Sequence, residues 1–533
     1  MSEHRKGWKL PKITLQSLLD VQNRWKKAGL LITLGLCVVA ALPPIYILPL
    51  AFIGFSGLFL LLDRCTTAKQ AFFTGWFFGV GFFGGGLYWL TNAFLVNAGK
   101  HGWLIPIAVP ALAFAMGLFI GLTTLSAHFM WRNQKHPSQA FARIILFAVA
   151  WTLWEWVRSW IFTGFPWNLA GTVWAFSDVM MQPAAYVGAF GFSLLSVLAL
   201  SLPACFYYLE GNKRVLPLLA CLLIPILFGV TGSLRLQNAN VTFYDEITLR
   251  LVQPNIDQAH KWDRNLKIAN FNQHLELSLA KSTNGKRPSH IIWPETAVTY
   301  ALNREPNVLR AVASVVPPGG AVLTGTPRMT PRGQEPFQVW NSLLVVNEKA
   351  EITAVYDKSH LVPFGEYIPF RRFNPIPKLT AGMVDFSAGD GIQTLQIKGL
   401  PSFSPLICYE VIFPGSVVNE VNRPHWLLNL TNDGWYADSP GPYQHLISAR
   451  MRSIEEGLPL IRVANTGITV ATDAYGRVLS HLNYGQRGFI DVPLAKRLEH
   501  PPFASSAANT ILMGLIGFLF LIAQVSFAIY RKR

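Results

Sequence analysis

The chain has 533 residues, enough for two or three domains, and 51% of them are hydrophobic while only 14% are charged. This composition excludes an ordinary soluble protein and is typical of an integral membrane protein. The formal net charge of +16 would by itself suggest a nucleic-acid partner. However, seventeen Lys and Arg residues stand beside only four Asp and Glu residues in the short segments at 1–28, 63–70, 132–143, 210–214 and 531–533. The charge therefore reports how the chain crosses a membrane, and we expect no nucleic-acid partner.

Apolar runs long enough to cross a bilayer occur seven times before a polar region and once after it. They lie at 28–43, 45–62, 71–95, 103–131, 141–160, 184–209, 215–232 and 510–530. We expect an integral membrane α-helical bundle of about eight transmembrane helices, in which the first division rests on Pro43 and Pro44. The domains that follow are a tail at 1–28, a seven-helix region at 29–232, a polar domain at 233–509, a last helix at 510–530 and a tail at 531–533.

The distribution of basic residues predicts the orientation in the membrane. Lys and Arg concentrate in alternate connections, and connections of this kind stay in the cytoplasm. Both termini are then cytoplasmic, and the polar domain lies on the far side, which for a bacterial inner membrane is the periplasm. The first 28 residues are polar and basic and lead into no short apolar core with a cleavage site. We therefore expect the first apolar run to be an uncleaved anchor.

The polar domain mixes strand-like and helix-like patterns, which predicts a layered α/β fold. Short apolar runs typical of strands lie at 249–252, 290–293, 321–324, 342–346, 352–356, 406–408, 426–430, 460–464 and 469–472. Helical patterns lie at 264–282, 304–315 and 441–456. Residues 347–350 separate two of the strands and predict a hairpin turn. Functional side chains are expected at strand ends, where the connecting loops begin.

The polar domain contains a single cysteine, Cys408. The other four cysteines lie in or beside the apolar runs, at Cys37, Cys65, Cys205 and Cys221. In an oxidising periplasm the Cys408 thiol has no partner within its own domain. It is therefore either buried and inert or kept free for chemistry. The residue type alone favours core packing over a nucleophile.

Two charged residues follow other predicted strands. Glu295 comes after the apolar run at 290–293, and Lys358 comes after the run at 352–356. A carboxylate, an ammonium and a thiol are the groups that covalent acyl transfer needs, because they supply a base, an oxyanion-stabilising cation and a nucleophile. A Glu or Lys at a strand end is more often a solvated surface group, and the pattern does not show that the three side chains meet.

Three motifs resolve this ambiguity through a resemblance. Trp-Pro-Glu ends at Glu295, Lys-Ser-His-Leu-Val-Pro-Phe-Gly-Glu starts at Lys358, and Cys-Tyr-Glu starts at Cys408. In this order and spacing they resemble the Glu-Lys-Cys triad of the nitrilase superfamily. Together with the predicted membrane helices, they make nearly the whole chain similar to the membrane-embedded apolipoprotein N-acyltransferase family of that superfamily. The resemblance implies an αββα sandwich, with Glu295 as general base, Lys358 as oxyanion-stabilising cation and Cys408 as nucleophile.

The resemblance also implies supporting residues. Glu366, in Pro-Phe-Gly-Glu, matches a second acidic residue of the family's active site, and Tyr409 and Glu410 match positions that the family needs beside the nucleophile. Trp262 matches a Trp near the substrate entrance. Taken alone, Trp262 could be ordinary packing and Glu410 a structural ion pair. No cofactor is implied, and we expect no metal because the eight His residues of the polar domain lack metal-ligand spacing.

Two features stay open. The stretch 362–386 is too rich in proline for a helix and too apolar for an exposed loop. It either meets lipid, as a lid or a membrane anchor, or packs on its own domain. Glu155 is costly at membrane depth, which makes it a functional candidate, yet it could simply sit at the interface beside Arg158.

The resemblance implies a reaction in two steps. A membrane phospholipid would donate a fatty acyl chain to Cys408. The α-amino group of the N-terminal diacylglyceryl-cysteine of an apolipoprotein would then accept it, completing lipoprotein maturation. Two alternatives remain at this stage. A membrane-anchored amidohydrolase with the same triad would use water as the second nucleophile, and a transporter or assembly scaffold would use the polar domain only for binding.

Overall fold

The computed structural model describes residues 15–209, 215–282, 285–369, 384–503 and 505–531. The region before the polar domain is helical. Its helices are α1 (Leu15–Leu19), α2 (Arg24–Val39), α3 (Leu48–Asp63), α4 (Ala68–Gly86), α5 (Thr91–Leu95), α6 (Ala98–His101), α7 (Ile105–Trp131), α8 (Ala140–Arg158), α9 (Asp178–Met181), α10 (Ala184–Ser201), α11 (Cys205–Tyr208) and α12 (Val215–Gln237). A non-helical connection that contains Pro43 and Pro44 separates α2 from α3, where the sequence predicts the division.

Each predicted apolar run contains a helix in the described chain, the last of them in α16 (Ser505–Arg531). By length and composition, five helical stretches of the described residues could cross a membrane: Ala98–Trp131, Pro137–Arg158, Ala184–Tyr208, Leu219–Gln237 and Thr510–Ala528. The helices α2 and α3 are shorter, at 16 residues each, and α4 has 19. The apolar helical bundle is therefore confirmed, while the number of crossings stays a prediction.

Glycine lets α4 pack closely against both of its neighbours. A Cβ atom at Gly81 would lie 2.2 Å from the Ile32 carbonyl oxygen in α2. One at Gly75 would lie 2.3 Å from the Ile120 carbonyl oxygen in α7. No side chain fits at either position, so these helices approach backbone to backbone, as small residues allow in membrane bundles.

The described residues of the polar domain form two β-sheets. The first has the strand order β11-β1-β2-β3-β4-β5, and the second has the order β10-β9-β8-β7-β6. Parallel pairing joins β1 to β2 and β2 to β3 in one sheet, and β6 to β7 and β7 to β8 in the other. The strands are β1 (Phe243–Gln253), β2 (His290–Ile292), β3 (Ala321–Met329), β4 (Val339–Asn347), β5 (Ile352–Asp357), β6 (Phe403–Ile407), β7 (Trp426–Thr431), β8 (Leu460–Ala464), β9 (Thr469–Thr472), β10 (Val478–Leu482) and β11 (Gly488–Ala495). Every predicted strand is present, whereas β10 and β11 have no counterpart among the predictions.

The two sheets face each other across an apolar core. Leu323 of the first sheet and Leu428 of the second belong to one buried cluster. The helices of the domain are α13 (Lys267–Leu279), α14 (Pro306–Ala313) and α15 (Pro440–Glu456). Phe271 of α13 and Val312 of α14 cluster with Val322 on the other face of the first sheet. With α15 on the second sheet, the layers are helix, sheet, sheet and helix, which is the expected αββα sandwich.

The helix α15 is shared between the polar domain and the membrane region. Its buried residue Ile447 lies in one apolar cluster with Leu427 of β7 and Phe192 of α10. On the same helix, Gln444 Oε1 accepts a hydrogen bond at 2.8 Å from the Trp167 indole, which belongs to the loop after α8. The polar domain therefore packs onto the membrane helices through α15, which also supports the turn that follows β6.

Candidate active site

The ends of three strands bring the predicted triad into the core of the polar domain. Glu295 lies three residues after β2, Lys358 follows β5 directly, and Cys408 follows β6 directly. Their exposed fractions are 7%, 1% and 7%. Lys358 Nζ lies 4.0 Å from Glu295 Oε1, and both charges act on the Cys408 thiol. The structure thus brings together three residues that are far apart in the sequence.

Glu366 lies against the same ammonium group. Its Oε2 atom is 2.9 Å from Lys358 Nζ. The Asn341 side chain donates from Nδ2 to Glu366 Oε1 at 2.9 Å and to Glu295 Oε1 at 2.8 Å. One buried amide therefore fixes the two carboxylates relative to each other, and the cation lies between them.

A tight turn carries Glu366. Its backbone N–H donates to Val362 O at 2.8 Å, and its Oε2 atom accepts from Val362 N at 2.8 Å. This turn is part of the stretch 362–386, of which 370–383 lie outside the described residues. The stretch packs on its own domain at this end, and its role toward lipid stays a prediction.

The backbone of Cys408 is unusual. Cys408 opens the 3₁₀ turn Cys408–Ile412, although the sequence pattern predicts that it ends the strand. Its φ angle is +53°. A residue with a Cβ atom is strained in this left-handed conformation, and such strain is found at functional sites. Core packing alone needs no such conformation, and the strain motivates the hypothesis that this cysteine is functional.

Burial decides the protonation of the site. It raises the pKa of the Cys408 thiol to about 12, with help from the charge of Glu295 and against the effect of Lys358. The resting group is therefore a neutral thiol that needs a base before it can attack. Burial also raises the pKa of Glu295, and Lys358 offsets part of this rise. Burial lowers the pKa of Lys358, but Glu366 and Glu295 outweigh it and raise that pKa overall, so this residue stays an ammonium.

Glu410 joins two strand ends by accepting hydrogen bonds. Its Oε1 atom accepts hydrogen bonds of 2.8 to 3.0 Å from Tyr356 OH, Ser359 N, Ser359 Oγ and His360 N. Its Oε2 atom accepts from Ile407 N at 2.7 Å. The carboxylate thereby fixes the chain after Lys358 and the chain before Cys408. It acts as an acceptor for N–H and O–H groups, so the alternative of a structural ion pair does not describe these contacts.

Tyr409 connects the nucleophile to the membrane region. Its hydroxyl donates to Gly164 O at 2.7 Å, in the loop between α8 and α9. Its ring stacks with Phe165 of the same loop, at a centroid distance of 6.3 Å. A change in this loop therefore reaches the residue next to Cys408 directly.

Lys261 also reaches the site. The residue is 2% exposed, and its ammonium donates to Glu295 O at 3.1 Å. Burial lowers the pKa of Lys261 to about 8, against the attraction of Glu295 and Cys408. Its neighbour Trp262 is 38% exposed. The role of Trp262 near a substrate entrance therefore stays a prediction.

The chain matches known proteins over most of its length. Residues 34–202 match the model of the apolipoprotein N-acyltransferase N-terminal domain, and residues 248–498 match that of carbon-nitrogen hydrolase. The chain is 38% identical over 484 residues to the apolipoprotein N-acyltransferase of Agrobacterium fabrum, covering 88% of this chain and 90% of that relative. It is 35% identical over 521 residues to that of Rhodopseudomonas palustris, covering 94% and 96%. The chain belongs to the apolipoprotein N-acyltransferase family.

This membership confirms the resemblance that the motifs carry. The carbon-nitrogen hydrolase match spans every predicted site residue, from Trp262 to Glu410. The apolipoprotein N-acyltransferase N-terminal match runs from the last six residues of α2 to the end of α10. Among solved structures, the chain is similar to a CN-hydrolase superfamily protein from Xanthomonas campestris, with 19% identity, a TM-score of 0.34, and coverage of 47% of this chain and 91% of that one.

Two site residues lie outside the sequence prediction. Asn341 is a buried polar side chain in strand β4, where it precedes Ser342 and the apolar run 343–346, and this interruption is a signal that sequence reading could use. Lys261 adjoins Trp262, but a lysine shows no sign of burial in the sequence alone. Within the described residues, no three His, Cys, Asp or Glu side chains group as metal ligands. The prediction that the reaction needs no metal stays a prediction.

Proposed function

We propose that this family member transfers a fatty acyl chain from a membrane phospholipid to the α-amino group of an apolipoprotein's N-terminal diacylglyceryl-cysteine. A thioester on Cys408 is the intermediate. The observation that carries the proposal is the meeting of Glu295, Lys358 and Cys408 at three buried strand ends. The relatives' name supplies the class of acceptor, an apolipoprotein, and the transfer of an acyl group to nitrogen.

The first step forms the thioester. Glu295 removes the thiol proton, and the Cys408 sulfur attacks an ester carbonyl of the phospholipid. The negative charge that develops on the carbonyl oxygen faces the Lys358 ammonium. When the intermediate collapses, the C–O bond breaks, and the lysophospholipid oxygen takes the proton from Glu295. The carboxylate is thereby restored and the acyl chain remains on sulfur.

The second step releases the acyl chain to nitrogen. The neutral α-amino group attacks the thioester carbonyl and gives its surplus proton to Glu295. The C–S bond breaks, and the Cys408 sulfur recovers that proton as a thiol. The products are an amide and the resting enzyme. Water must stay out between the two steps, and a site in which the reacting groups are only 1% to 7% exposed favours that requirement.

The remaining residues support these steps. Glu366 holds Lys358 in place through its 2.9 Å ion pair. Glu410 fixes the strand ends that carry Lys358 and Cys408, and Tyr409 couples the site to the membrane loop. We assign Trp262 to the substrate entrance, and its 38% exposure supports this assignment.

The proposed orientation puts the site where both substrates are found. The polar domain at 233–509 is periplasmic, between a seven-helix region at 29–232 and a last helix at 510–530, and the tails at 1–28 and 531–533 are cytoplasmic. The basic residues of the short connections support this orientation. The protein is then a multi-pass protein of the bacterial inner membrane, with its catalytic domain against the outer leaflet.

An acyl-labelling experiment tests the thioester. Purified protein is incubated with phospholipid labelled in its acyl chain, and bound label is then challenged with neutral hydroxylamine, which cleaves thioesters. We expect the wild type to carry label that hydroxylamine releases. Cys408→Ser should carry no such label, because any ester it formed would resist the reagent. Cys37→Ala is the matched control among the other cysteines and should label like the wild type. Absence of releasable label in the wild type, or its presence in Cys408→Ser, would rule out the mechanism.

A second arm separates transferase from hydrolase. A synthetic diacylated lipopeptide with a free amino terminus is added to the labelled protein. We expect the label to appear as an amide on the lipopeptide. Label that appears only as free fatty acid would support the amidohydrolase alternative instead.

A further inference from the structure

A buried histidine forms a hydrogen bond with the backbone carbonyl group of Cys408. His445 lies on α15 and is completely buried. Its Nε2 atom is 3.1 Å from Cys408 O. The Asn429 side chain donates to the same oxygen more weakly, at 3.4 Å, and to Leu406 O at 3.1 Å. Because a carbonyl oxygen only accepts, His445 Nε2 must carry the proton of this hydrogen bond.

The opposite edge of the imidazole, at Nδ1, lies against two charged side chains. Because Nε2 carries the proton, Nδ1 of the neutral imidazole accepts a hydrogen bond at 3.1 Å from an Arg462 guanidinium nitrogen. Asp433, whose Oδ1 atom lies 2.9 Å from Nδ1, acts on the imidazole through this guanidinium. The same nitrogen of Arg462 donates to Asp433 Oδ2 at 2.6 Å. All three side chains are fully buried. The imidazole transmits the hold of Arg462 and Asp433 to the Cys408 carbonyl. Arg462 also reaches this carbonyl through Asn429, whose Oδ1 atom accepts from its guanidinium.

The planarity of the peptide bond carries this hold one atom further. In a trans peptide the C=O of one residue and the N–H of the next point in opposite directions. A fixed Cys408 C=O therefore fixes the direction of the Tyr409 N–H. Tyr409 is the second residue of the 3₁₀ turn Cys408–Ile412, where the first N–H groups have no partner inside the turn. This N–H is therefore available to the carbonyl oxygen of a substrate whose carbonyl carbon the Cys408 sulfur attacks.

We propose that His445 is a positioning residue that aims the Tyr409 N–H at the oxyanion. Held by Asp433 and Arg462, it clamps the Cys408 carbonyl so that this N–H and the Lys358 ammonium face the developing charge together. The inference rests on the proposed function, because the oxyanion is that of acyl transfer. It assigns a task in catalysis to a buried network that could otherwise be read as core support.

Two substitutions separate the clamp from simple packing. His445→Gln places an amide N–H where Nε2 lies and loses the contact that Nδ1 makes. His445→Asn does the reverse, since its shorter amide lies where Nδ1 lies and cannot reach Cys408 O. Both variants leave a polar side chain of reduced size in the same pocket, so they form a matched pair.

Two reactions of Cys408 are compared in the full-length protein. The first is the burst of p-nitrophenolate from p-nitrophenyl butyrate, which forms an oxyanion. The second is alkylation by iodoacetamide, read on the peptide that contains Cys408, which displaces iodide and forms none. Neither uses phospholipid or lipoprotein, so failure here is distinguishable from failure of the proposed function. Thermal unfolding of each variant is followed in parallel.

We expect His445→Asn to slow the acyl burst at least about tenfold while alkylation stays near the wild-type rate, since a misaimed oxyanion donor is costly. His445→Gln should keep most of the burst. Asp433→Asn, which loosens the imidazole without removing it, should slow the burst and spare alkylation as well. An unchanged burst in His445→Asn, or an equal fall of burst and alkylation in both His445→Asn and Asp433→Asn, would overturn the proposal in favour of a purely structural network.

Discussion

The ammonium of Lys358 lies 2.9 Å from the carboxylate of Glu366. It is farther from Glu295, at 4.0 Å. The cation therefore has a dedicated counter-charge that is not the proposed base. This division leaves Glu295 able to exchange protons with the thiol, the leaving group and the amine while Lys358 stays in place.

Removing the charge of Glu366 should change both the rate and its pH dependence. Glu366→Gln keeps the shape of the side chain, and among the described residues it leaves Glu295, at 4.0 Å, as the carboxylate that still forms an ion pair with Lys358. Glu366 raises the pKa of Glu295, so its loss lowers that pKa and weakens the base. We expect the rate of thioester formation to fall by at least about tenfold and the acidic limb of the pH profile to move to lower pH. Glu351→Gln, at an exposed position, serves as the control. An acidic limb of the Glu366→Gln profile that moves to higher pH would refute this prediction.

The wild-type pH profile should show a raised base. Burial raises the pKa of Glu295 above its ordinary value of 4.5. The base must be a carboxylate to take the thiol proton, so activity is present above the folded-state pKa and is lost as the pH falls through it. The rate of label incorporation from phospholipid, measured against pH, should therefore have its acidic midpoint above 4.5. A midpoint at or below that value would contradict a general base with a raised pKa at this position.

Replacing Lys261 should shift the same limb in the opposite direction. Its ammonium lowers the pKa of Glu295, so Lys261→Met should move the acidic midpoint upward. The pKa of Lys261 is lowered to about 8 by its burial, so this charge is present below that pH and is lost above it. The difference between variant and wild type should accordingly shrink above about pH 8. Lys281→Met, at an exposed position, should leave the pH profile unchanged. A Lys261→Met profile that matches the wild type would show that the Lys261 charge does not act on Glu295.

Glu155 should act as a structural acceptor within the membrane region. Its Oε1 atom accepts from the Trp151 indole and from Ala170 N, each at 2.9 Å. Glu155→Gln keeps an oxygen acceptor, whereas Glu155→Leu leaves two buried donors unpaired at a cost of about 1–3 kcal/mol each. Thermal unfolding in detergent should show Glu155→Leu clearly destabilised and Glu155→Gln close to the wild type. Equal stability of the three proteins would point to a different role for this carboxylate.

The sequence predicts the elements better than it predicts the contacts between them. The apolar run before Glu295 is a strand in which every residue is buried, and the run before Lys358 is a partly exposed edge strand. Both runs are short and apolar, and this pattern is visible in one dimension. β10 is missed because it is a largely exposed edge strand that carries Ser480 and His481. β11 is an edge strand of the first sheet and pairs with β1. Only part of its length is buried, so its hydrophobic pattern is weak.

The site is harder to predict for a physical reason. His445, Lys261 and Asn341 act through burial and through partners that are distant in the sequence, and nothing in their immediate neighbours reveals either. Glu410 is predicted beside the nucleophile, but its task of accepting N–H groups from two strand ends follows only from the fold. Local pattern finds the groups that react, whereas tertiary structure is needed to find the groups that hold them.

The most direct test of the account is the mass of the protein after exposure to phospholipid alone. Intact-protein mass spectrometry should show an increase equal to one fatty acyl group, and peptide mapping should place it on Cys408. The increase should disappear after neutral hydroxylamine and should be absent from Glu295→Gln, which lacks the base. An acyl group on any other residue, or an adduct on Cys408 that survives hydroxylamine, would contradict the thioester and with it the central claim.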